Sequence, residues 1–277
     1  MRLWVSAALV AILLASSAGA AWPQRIVMLG GDVTEIAFAL GQGGRVVCDD
    51  QTSLYPAAAT KLPQVGYLRT LAAEGVLSCR PDLIIASEDA GPPAAVTQLD
   101  ASGVQVVHVP NAHSAEGVVD KIGVVADALG VHDRGEALKA RYRTALADIK
   151  RKLASYRDHP RAIFLMAQGP GGAMAAGRGT AADTMLTLAG AQNVAGGFSG
   201  YKPLTPEAAL ALRPDVIIVA DYAIKTMGGM EAFRARPEIA MTPAAKSGRI
   251  VAMDTLLLLG FGPRTPQALG ALATALH

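Results

Sequence analysis

The chain has 277 residues, 51% of them hydrophobic, with 25 Lys and Arg against 23 Asp and Glu. That length holds one large domain or two smaller ones. The even charge excludes nucleic acid as a partner, which would call for a strongly basic face.

Met1-Arg2 is a short positive start, Leu3–Leu14 an uncharged apolar run, and Ala18-Gly19-Ala20 a set of small residues that signal peptidase accepts. The run is shorter than the roughly 20 residues of a membrane span. Residues 1–20 therefore read as an export signal cleaved near Ala20, with no Cys beside it to carry a lipid. Only Arg2 of the basic residues falls inside it, so 25 − 1 = 24 remain against 23 acidic ones.

Arg25–Leu29 reads as a strand, followed by a helix over Asp32–Leu40. Asp32 and Glu35 have the spacing of a capping box and Gly41 that of a terminator. Arg45–Cys48 is a strand, Leu71–Cys79 a helix, Leu83–Ala86 a strand, Ala94–Ser102 a helix and Val104–Val109 a strand. This alternation predicts a parallel sheet covered on both faces. Cys48 and Cys79 are too few for a disulfide scaffold and read as two buried apolar thiols in preference to a single disulfide, with no His nearby to make a metal site.

A charged helical stretch follows over 133–157, on the order of 35 Å long. Its apolar face is Leu138, Tyr142, Ala145, Ile149 and Leu153, and its basic face reads as solvated. A strand at Ala162–Met166 then runs into the glycine-rich loop Gln168–Gly179, which lacks the ending of a phosphate-binding loop. A helix begins with Thr180 and Asp183 at capping-box spacing and stops before Gly190. A helix near Thr205–Leu212 and a strand at Val216–Ala220 close the pattern.

The two halves repeat. Leu71–Ser87 aligns without gaps to Leu204–Ala220 at a constant offset of 133, and eight of 17 positions are identical. They include Glu74 and Glu207 and the Arg-Pro-Asp triplets at 80–82 and 213–215. Just upstream, Gly66-Tyr67 matches Gly200-Tyr201, each with a base close behind, Arg69 or Lys202. The fold class is α/β: two Rossmann-like lobes with parallel sheets, joined by a single long helix. The boundaries read as 22–112 for the N-terminal lobe, 113–160 for the helical linker and 161–277 for the C-terminal lobe. So long a linker helix predicts little hinge motion and a preformed cleft.

The segments 25–41, 52–87, 167–193 and 200–220 resemble the periplasmic haem-binding proteins of bacterial haem ABC importers. The element from Glu74 to Leu83 is shared with binders of siderophores and cobalamin. Val65–Arg69 and Met174–Asp183 point more narrowly to haem. The resemblance implies a periplasmic monomer that carries haem in its cleft to a permease dimer of the inner membrane, and no enzymatic activity. It also implies one Tyr ligand to ferric iron, a hard cation that accepts a phenolate.

Tyr67 is the expected iron ligand, and Arg69 would supply the charge that favours its ionisation. Tyr201 is expected in packing or hydrogen bonding. Met174 and Arg178 would face the ligand, with Arg178 or Lys202 pairing a propionate. Glu74 and Glu207 would offer one carboxylate per lobe to the permease. His108, His113, His132 and His159 read as structural, and the C-terminal lobe has no His before His277. The rival readings are a siderophore or cobalamin binder and an exported α/β enzyme. The second lacks a G-x-S-x-G or HExxH arrangement.

Overall fold

The computed structural model describes residues 22–111, 113–167 and 172–277. The expected export signal, residues 1–20, lies outside the described residues, as do Gln168–Gly171 at the start of the glycine-rich loop. In chain order come β1 (Ile26–Leu29), α1 (Gly31–Ala39), β2 (Val46–Asp49), α2 (Ala73–Ser78), β3 (Leu83–Ser87), α3 (Pro93–Asp100) and β4 (Gln105–Val109). Two helices follow, α4 (Gly117–Ala128) and α5 (His132–Leu153). The second half holds β5 (Arg161–Ala167), β6 (Ala173–Ala176), α6 (Ala181–Leu188), β7 (Gln192–Asn193), β8 (Tyr201–Pro203), α7 (Pro206–Leu212) and β9 (Val216–Ala220). It ends with α8 (Asp221–Thr226), α9 (Met230–Arg234), α10 (Pro237–Ala240), α11 (Pro243–Lys246), β10 (Ile250–Met253), α12 (Thr255–Leu259) and α13 (Thr265–Leu276).

Four strands in the order β2-β1-β3-β4 form a wholly parallel N-terminal sheet. The runs IVML, LIIAS and VIIVA of β1, β3 and β9 are buried throughout, as strands covered on both faces must be. The C-terminal sheet departs from the all-parallel expectation. Its order is β10-β9-β5-β6-β8, and β6 and β8 run antiparallel to their neighbours. Only five residues separate β5 from β6, too few for a helical crossover, and so close a return makes an antiparallel pair.

The repeat has a physical basis. Arg80 and Arg213 both take the left-handed conformation, φ 49° and 45°, at the ends of α2 and α7. The guanidiniums of Arg25 and Arg161, at the starts of β1 and β5, donate to the carbonyls of Arg80 and Arg213 and of the residues just before them. The Asp82 and Asp215 carboxylates accept the backbone N–H of the same two strand-starting arginines. Each triplet thus ends a helix and docks it on the first strand of its sheet.

One hydrophobic cluster runs from β1 and α1 through α4 and α5 to β5, β9 and α13, so the two lobes share a core. At 22 residues α5 is about 33 Å long. Its buried line is Leu138, Tyr142 and Leu146, with Ile149 and Leu153 half-buried. Leu146 fills the place expected of Ala145, which is exposed, because the stripe steps by four residues here.

Two expectations are overturned. Cys48 and Cys79 form a disulfide that joins the end of β2 to the C-cap of α2. Helix α2 folds onto the outer face of the N-terminal sheet, and this brings both sulfurs into one apolar cluster. Asp32 and Glu35 make no capping box either: α1 starts after Gly30 with no side-chain cap. Both carboxylates reach instead to basic partners far away in sequence. The capping spacing at Thr180 does work, its hydroxyl accepting Asp183 N–H at 3.1 Å.

Candidate ligand cleft

The carboxyl ends of parallel strands gather on one side of an α/β sheet, where such folds bind ligands. The segment after β2 turns back along that edge. Asp49 N–H donates to Pro63 O at 3.1 Å, Val65 N–H to Asp49 O at 2.9 Å, and Gln51 N–H to Gly66 O at 2.9 Å. This short zipper presents Tyr67. Gly66 sits at φ 108°, and a Cβ there would point into open space. Only glycine takes that conformation without strain. Tyr67, 45% exposed, opens a single helical turn over Leu68–Thr70. The turn is pinned to the loop after β3 by Gly91 N–H to Leu68 O and Leu71 N–H to Gly91 O. Arg69 Nη2 lies 3.0 Å from Asp89 Oδ2 in that same loop.

Tyr201 faces them from the other lobe. On β8 it pairs with Ala176 of β6, and its alternation puts it on the same side of the ribbon as Met174. Lys202 falls on the opposite side, with its ammonium 5.2 Å above the Phe198 ring. Arg178 is exposed just past β6, its N–H bonded to Phe198 O at 2.7 Å. The structure therefore groups Tyr67, Arg69 and Tyr201, keeps Met174 on their side, and sets Lys202 apart.

Burial pushes the Tyr201 hydroxyl above its ordinary value, while the Arg69 charge and the Thr180 hydroxyl pull it back. Arg69 thus acts on Tyr201 from across the cleft. A third tyrosine joins them. Tyr222 at the start of α8 donates to Ala167 O at 3.3 Å. Burial raises its hydroxyl, and the neighbouring hydroxyls of Tyr67 and Tyr201 add to the effect. Tyr222 lies beyond the aligned repeat, which ends at Ala220, so no sequence motif marks it.

The floor of the cleft is polar and buried. Arg264, ahead of α13, has its Nη2 2.8 Å from Glu35 Oε2, and its guanidinium lies 3.5 Å from the Tyr55 ring centre. A Cβ on Gly31 would clash with Thr52 O and Leu256 Cδ1, so the two lobes meet backbone to side chain here. Fully buried Lys121 bonds Asp32 Oδ2 at 2.5 Å and Asn111 Oδ1 at 2.6 Å. Asp49 is buried with both carboxylate oxygens unpartnered. Burial, then the nearby Asp50, push its carboxyl up to about 7.

Glu74 and Glu207 occupy the second positions of α2 and α7 and are exposed, outside this cluster. An open hollow between α4 and α5 is lined by Glu116, Arg143, Leu146 and Lys150. None of the three tyrosines lines it.

Two α/β lobes on a shared core, with a tyrosine-lined cleft at their strand ends, define a substrate-binding protein. The chain belongs to the periplasmic binding protein family, whose profile matches residues 26–256. Its fold matches the apo periplasmic haem-binding protein RhuT from Roseiflexus sp. RS-1, with a TM-score of 0.88 and 42% identity over 91% of this chain and 97% of that one. It also matches the periplasmic haem-binding protein BhuT in complex with two haems, with a TM-score of 0.86 and 43% identity over the same shares. Among curated proteins it is 29% identical to the ABC transporter substrate-binding lipoprotein YvrC of Bacillus subtilis, over 92% of this chain and 80% of that protein.

Proposed function

We propose that this protein captures ferric haem in the cleft and delivers it to an ABC-type permease. The observation that carries the reading is the convergence of Tyr67, Tyr201 and Tyr222 with Arg69 between the lobes. Ferric iron accepts a phenolate, and a ligand tyrosine must ionise from an ordinary value of about 10. Burial raises the hydroxyls of Tyr201 and Tyr222, which suits them to donate hydrogen bonds while protonated. Tyr67, open to the cleft beside the bare backbone of Gly66, takes the iron. Arg69 is the basic group best set to meet a propionate, and Met174 lies on the face that would touch the porphyrin.

Glu74 and Glu207, one per lobe at matching helix positions, would meet basic groups on the two halves of a permease dimer. Residues 1–20 would direct export to the periplasm, where the mature chain acts as a monomer. The likeness to the haem binders RhuT and BhuT supports haem over cobalamin or a siderophore. Titrating the purified protein with haemin tests the reading, with cobalamin and a ferric siderophore as competitors. A ferric tyrosinate spectrum that neither competitor displaces is expected. Cobalamin binding in preference to haemin would overturn it.

A further inference from the structure

We propose that Lys121 is a positioning residue that fixes Arg69 on the cleft wall and ties that wall to the C-terminal lobe. This deepens the haem reading and rests on it for its ligand. Lys121 projects from α4, and its fully buried ammonium has three acceptors: Asp32 Oδ2, Asn111 Oδ1 and, at 3.4 Å, the Gly260 carbonyl at the end of α12. An ammonium has three N–H donors and no acceptor, so the set is complete.

The ammonium also dictates which way the Asn111 amide faces. Its oxygen must meet Lys121, so its NH2 turns toward Asp89 Oδ2, 2.7 Å away. That same oxygen takes Arg69 Nη2. The second Asn111 N–H points at His113 Nε2, 3.3 Å away, which accepts while the ring is neutral. Burial favours that neutral form; the Lys121 and Arg69 charges help, and Asp89 and Asp32 oppose.

An ion pair as open as Arg69–Asp89, with side chains 57% and 30% exposed, is a weak tether on its own. Asn111 immobilises Asp89, so Arg69 has one fixed partner. A ligand carboxylate then meets a guanidinium already in place, and less ordering is left for binding to supply. The Gly260 contact extends the relay across the lobe boundary, so the wall keeps register with the opposite face.

The test replaces the buried pair as a unit, Lys121→Met with Asp32→Asn, because removing the cation alone strands a buried carboxylate. Haemin affinity is measured in the native background and in Arg69→Ala. The expected result is a loss of about tenfold in the native background, the scale of one charged hydrogen bond. No further loss is expected in Arg69→Ala, and the iron spectrum stays the same. A second readout needs no ligand: the Arg69 Nη–H resonances of the apo protein should exchange faster in the variant, since Nη2 holds the Asp89 bond. Should the double variant fail to fold, Asn111→Asp keeps the acceptor for Lys121, removes the donor to Asp89, and carries the same expectations. Equal losses in both backgrounds, or an unaltered Arg69 resonance, overturn the proposal. A native protein that ignores haemin sinks the ligand reading instead, and the resonance alone then judges the relay.

Discussion

Arg264 and Glu35 lie 229 residues apart in sequence, yet they meet side chain to side chain and again through Arg264 N–H, which donates to Glu35 Oε1 at 3.1 Å. Burial raises the Glu35 carboxyl, and the Arg264 interactions oppose that shift without cancelling it. The pair joins α1 of one lobe to the start of α13 in the other. Arg264→Ala would leave a buried carboxylate without its cation and should cost about 3–5 kcal/mol. Glu35→Gln combined with Arg264→Met should recover most of that loss in denaturant unfolding. Equal damage from the single and the double variant would count against a charge-based joint.

The disulfide gives a second stability prediction. It closes a loop of 31 residues, for which chain entropy predicts about 3–4 kcal/mol. Cys48→Ala with Cys79→Ala should lower stability by that order. Free-thiol titration of the unreduced, unfolded native chain should find no thiol, and two reactive thiols would contradict the bond.

These two cases show where sequence reading stops. Strand runs and the Arg-Pro-Asp triplets were legible because their causes are local: buried β-branched runs, and a helix end docked on the next strand. Asp32 and Glu35 misled because i, i+3 spacing is equally that of a capping box and of two carboxylates on one helix face. Only partners 89 and 229 residues away decide between them. The Val65–Arg69 motif draws attention to Tyr67, but the effect of Arg69 on Tyr201 is not written in it. Spacing along an extended segment says nothing of the lobe opposite. Tyr222 carries no local signal, because its place beside Tyr67 and Tyr201 depends on contacts across the cleft.

Asp49 predicts a pH dependence. Its carboxyl is held protonated up to about 7, against an ordinary 3.8 in the unfolded chain. Between those values the folded state keeps a proton that the unfolded state has lost, so stability falls as pH rises from about 4 to about 7. The full penalty stands above that, at most about 4 kcal/mol. Asp49→Asn should therefore stabilise the protein at pH 8 and change little at pH 4, as thermal unfolding at the two pH values would read. An equal effect at both would mean that Asp49 ionises normally.

Glu74 and Glu207 separate docking from binding. Both are exposed and away from the cleft, so Glu74→Ala with Glu207→Ala should leave haemin affinity unchanged. Uptake through the reconstituted permease should be lost. Each single variant should be impaired less than the pair, since one lobe keeps its contact. Normal uptake by the double variant would rule out the carboxylates as the docking points.

The tyrosines give the sharpest test of the cleft. If Tyr67 holds the iron, Tyr67→Phe removes the only phenolate on the metal, and the ferric tyrosinate spectrum should vanish or shift. Tyr201→Phe deletes a donor, so affinity should fall about three- to tenfold while the iron spectrum survives; Tyr222→Phe loses the bond to Ala167 O and should change affinity less. Arg69→Ala should also spare the spectrum and cost less affinity than Tyr67→Phe. It has one further signature: the Arg69 charge draws the Tyr201 hydroxyl down, so its removal should move the Tyr201 titration to higher pH. Ultraviolet difference titration of apo protein, with Tyr201→Phe as the blank, reads that shift. A spectrum kept in Tyr67→Phe and lost in Tyr201→Phe would transfer the iron to the C-terminal lobe. In that event Arg69, acting across the cleft, would be the group that favours its phenolate.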